Sequence, residues 1–400
     1  MGKKFLVLVL ALILCMYPLT GVSAHELSGS QYSPSYIVMS SETGQVLLSR
    51  DSTSPANISL LYKMMVSLIA LETLSTTLKA PVEGIFYPVP DLIKLTMLTE
   101  TNDATIALAG MIAPTRDDQI VLLNTRAKEM GLNNTIFADT MTADNQDFQH
   151  SNTTLTDIAT FIYKALNNKE FRILYCSQAT VLSTDGTLIS NSNKMVMAAG
   201  NSKNVGGTTC SYHHNNGKYT SMSYLGRITS ISNNLPIELI IVADHMYGID
   251  HNTLGQNLIT NISQHYYKKT VITKGDILLS YKLGSETLDI SATNDIYCII
   301  SADVDTPILQ TSFIMNEGYD FEEIAPPIYK GEDIGIANIQ LFDGSVVTTP
   351  VEAANTIYIE SSRINDLINL MSENRQVTFI IFALLAIEAL LILFKLRIRK

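Results

Sequence analysis

Charge is what this sequence has least of. Only 16% of its 400 residues are charged, against about 25% in an ordinary soluble domain, and the formal net charge is −11. With no basic stripe to follow a phosphate backbone, nucleic-acid binding is excluded as a function class. Cysteine is scarce as well. Cys15, Cys176, Cys210 and Cys298 are widely spaced and match no metal signature. No internal repeat, low-complexity tract or long linker interrupts the chain. Its length exceeds what one compact core usually takes, which sets an expectation of about two domains.

The low charge is partly explained by two apolar ends. M-G-K-K is followed by the apolar run Phe5–Leu14 and then by Val22-Ser23-Ala24. A basic start, a short apolar core and a small-x-small exit predict a secretory signal over 1–24, cleaved after Ala24. Cys15 stands where a lipoprotein signal would want a small residue before it, so lipidation is rejected. At the other end Val377–Phe394 is almost wholly apolar and leads into K-L-R-I-R-K. About 18 residues at roughly 1.5 Å each approach the ~30 Å of a hydrocarbon core. The basic tail at 395–400 puts that end in the cytoplasm. Glu388 inside the span either faces a partner helix or is protonated. The reading is a single-pass membrane protein whose ectodomain lies outside the cytoplasm. Three cysteines survive processing, so a fully paired framework is excluded. One bridge between Cys176 and Cys210 stays open beside buried free thiols, the favoured state.

The mature chain is organised around Ala56–Glu72, A-N-I-S-L-L-Y-K-M-M-V-S-L-I-A-L-E. Apolar residues at helical spacing surround one lysine, Lys63. An ammonium in such a pattern snorkels to the surface or needs a partner or a task, since burying it alone is costly. Before this helix, Ser35–Ser40 and Gly44–Leu48 alternate about Glu42-Thr43-Gly44 and predict a β-hairpin. After it come helical runs over Asp91–Leu98, Asp103–Ile112, Asp117–Gly131 and Thr154–Leu166. Phe171–Asp244 reads mostly as β, with a hairpin turn at Asn216-Gly217 and a buried strand at Ile237–Ala243. Leu254–Tyr267 is helical, and about 269–357 carries short strands and turns. His213, His214, His245 and His251 lack ligand spacing, so no metal site is expected.

Taken in order, these blocks resemble one family. S-Y-I-V-M-S-S-E-T-G-Q-V-L-L-S-R at 35–50, K-M-M-V-S-L-I-A-L-E at 63–72 and D-L-I-K-L-T-M-L-T-E-T-N-D-A at 91–104 are three of them. N-T-R-A-K-E-M-G-L-N-N-T-I-F at 124–137 and K-G-E-D-I-G-I-A-N-I-Q-L-F-D-G-S-V-V-T-T-P-V at 330–351 are the others. Together they resemble the D-alanyl-D-alanine carboxypeptidases, the low-molecular-mass penicillin-binding proteins, over nearly the whole ectodomain. The resemblance implies a bacterial, exported, C-terminally anchored protein that acts on peptidoglycan pentapeptides without a cofactor. It implies a mixed α/β transpeptidase-like (β-lactamase-like) domain over 25–267 and an all-β domain over 268–357. A helical stalk at 358–376 would lead to the transmembrane helix at 377–394.

The wider group works with Ser-x-x-Lys, Ser-x-Asn and Lys-Thr-Gly motifs. A serine one turn before a lysine attacks the carbonyl, a second serine relays protons, and a strand lysine binds the substrate carboxylate. Aligned on Lys63, the nucleophile position here is Leu60. The relay position is Glu100, in Glu100-Thr101-Asn102, with only Asn102 kept. The best register for the third motif puts Ala198-Ala199-Gly200 at Lys-Thr-Gly. Ser59, four residues before Lys63, is a doubtful nucleophile, because one residue of shift turns it by about 100° around the helix. It reads equally as an N-cap, and Asn102 reads as a cap beside Asp103. Lys63 and Glu100 are expected to face each other as a salt bridge. The first expectation for function is a non-catalytic homologue that binds peptidoglycan stem peptide or a cell-wall enzyme. The alternatives are an active carboxypeptidase using Ser59 and Lys63, and a structural ectodomain with a filled cleft.

Overall fold

The computed structural model describes residues 34–358, except 142–147, 149, 199–204, 215–216, 247–250, 285, 302–307, 320–323, 343 and 345. The expected signal at 1–24, the membrane span at 377–394 and, apart from Tyr358, the stalk lie outside the described residues. Among the described residues no helix is long and apolar enough to cross a membrane.

The chain forms two units. The larger takes residues up to Val271 together with Ile296–Gln310 and Ile339–Val347. Its centre is a five-stranded antiparallel sheet. The strands are β1 (Ser35–Ser40), β2 (Val46–Arg50), β3 (Gly206–His214), β4 (Gly217–Thr229) and β5 (Pro236–Met246), in the order β2-β1-β5-β4-β3. Strand β5 is apolar at successive positions because both of its faces are covered. Ile240 and Val242 point into one core, Leu239 and Ile241 into the other. The first core is filled by α1 (Ser59–Thr73), α2 (Val89–Leu98), α3 (Asn102–Ile112), α4 (Arg116–Glu129) and α5 (Leu155–Ala165). The second core takes Met195 and Val196 of the short helix α7 (Lys194–Ala198), and Leu258 and Ile262 of α8 (His251–His265). This is a mixed α/β architecture with helices on both sides of the sheet.

The helix ends show why these segments stop where they do. Thr154 caps α5 by accepting from the Asp157 amide at 3.1 Å. Gly131, at φ +66°, ends α4, where the Gly131 amide donates to Lys128 and the Leu132 amide to Ala127. That pair of bonds is the left-handed C-cap expected at this glycine. The mostly-β reading from Phe171 onward needs correction at its start, because Lys169–Tyr175 is a helix, α6. Asn168 caps it through the Glu170 and Phe171 amides, and Phe171 and Tyr175, one turn apart, are both buried. Aromatic residues at i and i+4 outweighed the β-propensity of I-L-Y-C.

Strand β3 opens with Gly206-Gly207, and both glycines are required by close approach. A Cβ on Gly207, at φ +144°, would stand 2.1 Å from the Ser223 carbonyl oxygen, and one on Gly206 would stand 2.5 Å from that of Tyr175. Gly207→Ala is therefore expected to lower stability by about 2 kcal/mol or more, read as a fall in the midpoint of urea unfolding. An unchanged midpoint would show that β3 shifts freely.

The smaller unit comprises Ile272–Asp295, Thr311–Asn338 and the residues from Thr348. It is built on a sheet of β6 (Ile277–Leu283), β7 (Glu286–Ala292), β8 (Ile308–Met315), β9 (Asp333–Leu341) and β10 (Val346–Ala353), in the order β6-β7-β10-β9-β8. Leu288, Ile290, Ile334, Ala337, Val351 and Ala353 form its core. No helix occurs among its described residues.

Candidate functional site

The site is assembled where α1, the α2–α3 junction and the edge strand β3 meet. Helix α1 is buried through its first three turns, and Leu60 and Lys63 are both 0% exposed. Its N-cap residue is Ile58, so the expectation that Ser59 caps the helix is corrected. The capping group is the Asn57 side chain, which accepts from the Ser59 amide at 2.9 Å. Ser59 is the first helical residue and is itself buried.

Lys63 neither snorkels nor pairs with an acid. Its Nζ donates to the carbonyl oxygens of Thr99, at 2.8 Å, and Thr209, at 3.1 Å. Burial pushes the Lys63 ammonium below its ordinary pKa, and nearby Cys210 and Glu100 only partly oppose that. The expected salt bridge to Glu100 does not form. Glu100 is exposed and accepts instead from Ser211 Oγ, at 3.2 Å. A backbone carbonyl offers a buried amine a partner without a second charge to desolvate, which is why carbonyls replace the carboxylate here. Asn102 is the first residue of α3, next to the N-cap Thr101, and is half-buried.

The strand segment facing Lys63 is Thr209-Cys210-Ser211. Ala198 ends helix α7, upstream of β3, and residues 199 and 200 are outside the described set. The expected third motif, Ala198-Ala199-Gly200, therefore lies largely outside the described residues, with Ala198 on a helix. The signal that marks β3 in the sequence is Gly206-Gly207 followed by T-T-C-S-Y-H and a hairpin mate. The edge itself is occupied. Asn191 Nδ2 donates to the Gly207 carbonyl at 2.9 Å, and Ser192 Oγ lies 2.8 Å from Thr209 Oγ1. The Ser192 amide donates to the Leu98 carbonyl at 2.7 Å, which ties the same segment to the end of α2. Thr208 Oγ1 donates to the Met97 carbonyl at 2.6 Å.

A second polar centre, not anticipated from the sequence, lies at the start of α1. Asp244, fully buried on β5, receives the Asn57 amide at 2.9 Å, Tyr212 Oη at 2.9 Å and Ser221 Oγ at 2.5 Å. His245 Nδ1 stands 3.2 Å from the same carboxylate. Burial would raise the Asp244 pKa, but His245, Ser221 and Asn57 together bring it below the usual carboxylate value. Hydrogen bonding to Asp244 raises that of His245. Cys176, Cys210 and Cys298 are thiols, not joined in disulfides. Among the described residues no group of three His, Cys, Asp or Glu side chains is placed to hold a metal ion.

Residues 75–222 match the family model described as D-alanyl-D-alanine carboxypeptidase. That stretch begins beyond α1 and includes the α2–α3 junction and β3. No curated protein matches the chain. Penicillin-binding protein 5 from Haemophilus influenzae is similar in fold, with a TM-score of 0.56 and 17% identity over 83% of this chain and 100% of that one. A peptidoglycan synthesis regulatory factor (PBP3) from Streptococcus pneumoniae gives a TM-score of 0.60 and 15% identity, over 82% and 100% of the two chains. The D-alanyl-D-alanine carboxypeptidase DacD from Francisella tularensis gives 0.52 and 17%, over 84% and 96%. The resemblance to the D-alanyl-D-alanine carboxypeptidases thus holds by sequence over residues 75–222 and by fold over most of the chain.

Proposed function

We propose that this protein is a non-catalytic homologue of the D-alanyl-D-alanine carboxypeptidases. It is anchored outside a bacterial cytoplasmic membrane by the 377–394 segment, and it binds peptidoglycan stem peptide or a cell-wall enzyme. The observation that carries this reading is Leu60. One turn ahead of Lys63, where the resemblance calls for a nucleophilic hydroxyl, stands a leucine with no exposed surface. A hydrocarbon side chain cannot attack a carbonyl. Glu100 at the relay position is turned to Ser211. Thr209, on the strand that faces Lys63, offers no ammonium to a substrate carboxylate.

A second reading, a structural ectodomain with a filled cleft, is favoured by the edge of β3. There Asn191 and Lys63 already take the carbonyls that an added peptide strand would use.

Two measurements test these readings. Incubation of the ectodomain with a labelled penicillin is expected to give no covalent mass increase, and an adduct lost in Ser59→Ala would overturn the non-catalytic reading. Retention on isolated cell wall is expected for a stem-peptide binder, whereas passage without retention leaves the filled cleft.

A further inference from the structure

We propose that Asp244 and His245 form a pH-sensitive latch that fastens the start of helix α1 to the central sheet. The inference does not depend on what the neighbouring cleft binds. Between the pairs Thr220↔Met246 and Met222↔Ala243 the β4–β5 register shifts, so that Ser221 faces two residues, Asp244 and His245. The extra residue is accommodated by His245 at φ +58°, a left-handed conformation that few non-glycine residues hold without cause. The bulge turns both side chains toward one carboxylate-centred network. Asp244 reaches the Asn57 amide at the entrance to α1, and His245 lies against the same carboxylate from the solvent side, 42% exposed.

The titratable groups around His245 come from three strands. Asp244 is on its own strand, Tyr212 is contributed by β3 and Tyr219 by β4, both edge-on to the imidazole ring at 6.4 and 6.2 Å. The approach to α1 contributes uncharged Asn57. Burial and the Asp244 charge raise the Tyr212 pKa, so the phenol stays a neutral donor. Asp244, its pKa lowered, stays ionised. His245 is therefore the member that changes charge near neutrality.

Its pKa is raised in the folded chain, so the stabilisation from charge is fully present below the ordinary value of 6.5 and is lost as pH rises through the folded value. Loss of the imidazolium charge takes the countercharge from the buried Asp244 carboxylate, so an opening that parts this network, the Asn57 contact included, becomes easier.

The test is amide hydrogen exchange at Asn57 and the first turn of α1, expressed as protection factors from about pH 5.5 to about pH 8.5. Protection at Asn57 is expected to fall several-fold as pH rises. His245→Asn, which suits the left-handed backbone, should abolish that pH dependence while leaving the sheet protected. Tyr212→Phe should lower protection at every pH and keep the slope. A flat profile in the unaltered protein, or an unchanged slope in His245→Asn, would overturn the latch.

Discussion

Leu60→Ser is expected to cost the larger unit about 3–5 kcal/mol and to restore no penicillin adduct. Leu60 is packed without exposed surface among Leu61, Met64 and the other residues of the α1-side core. Truncating a leucine in such a place loses both the transfer free energy of its methyl groups and the contacts of the space left behind. The serine hydroxyl adds the cost of a buried polar group. The variant places a hydroxyl at the position the family uses, one turn from Lys63, so it isolates the nucleophile from the rest of the machinery. Glu100 holds Ser211 where a relay hydroxyl would stand, and the Thr209 carbonyl takes a hydrogen bond from Lys63. Urea unfolding measures the first effect, and intact mass after penicillin treatment the second. An adduct in Leu60→Ser would show that a single residue separates this protein from a working site.

The second large effect concerns Lys63 and appears as a slope. The folded chain holds Lys63 with its pKa below the ordinary value of 10.5. Between the two values the unfolded chain carries a proton that the folded chain lacks, so stability rises with pH through that window. One proton contributes at most about 1.4 kcal/mol per pH unit. Lys63→Met keeps the length of the side chain and removes the titration. The stability of the unaltered protein minus that of Lys63→Met is therefore expected to rise with pH on the approach to the ordinary lysine value of 10.5 from below. Subtracting the variant cancels the other titrating groups, including His245. Tyr62 and Tyr175, whose pKa values burial raises, lower the stability of both proteins alike once unfolded tyrosines ionise, so they cancel in the difference as well. Chemical unfolding at several pH values gives the slope. Parallel curves for the two proteins would overturn the lowered Lys63 pKa. Methionine also leaves the Thr99 and Thr209 carbonyls without their donor, a penalty of about 1–3 kcal/mol for each buried group that stays unpaired. That penalty shifts the variant's curve without tilting it.

Much of this was legible in the sequence. The hairpin at 35–50, the buried helix about Lys63, the C-cap at Gly131 and the buried strand at Ile237–Ala243 follow from periodicity and from residues with narrow conformational preferences. Leu60 and Glu100 could be placed because α1 and α2 are regular and spacing fixes the face. The miss at α6 came from local competition, since R-I-L-Y-C supports either structure until the packing of Phe171 and Tyr175 decides. That Thr209 faces Lys63 was not legible, because a strand has no helical turn to anchor its register, and alternating small residues align almost anywhere. The fate of Lys63 was hidden for another reason. Backbone carbonyls are present at every residue, and which two of them converge on an amine is a property of the fold. The same holds for Asp244, which beside its neighbour His245 gathers Asn57, Tyr212 and Ser221 from other segments of the chain.

Strand β3 ends the sheet, and an unpaired strand edge is ordinarily where one protein chain adds to another. Here the outward carbonyls of Gly207 and Thr209 are already bonded by Asn191 and Lys63 of the same molecule. The side chains that bond these carbonyls therefore also guard the edge against self-association. Lys63 thus has an architectural task at this edge, whatever chemistry the neighbouring cleft performs.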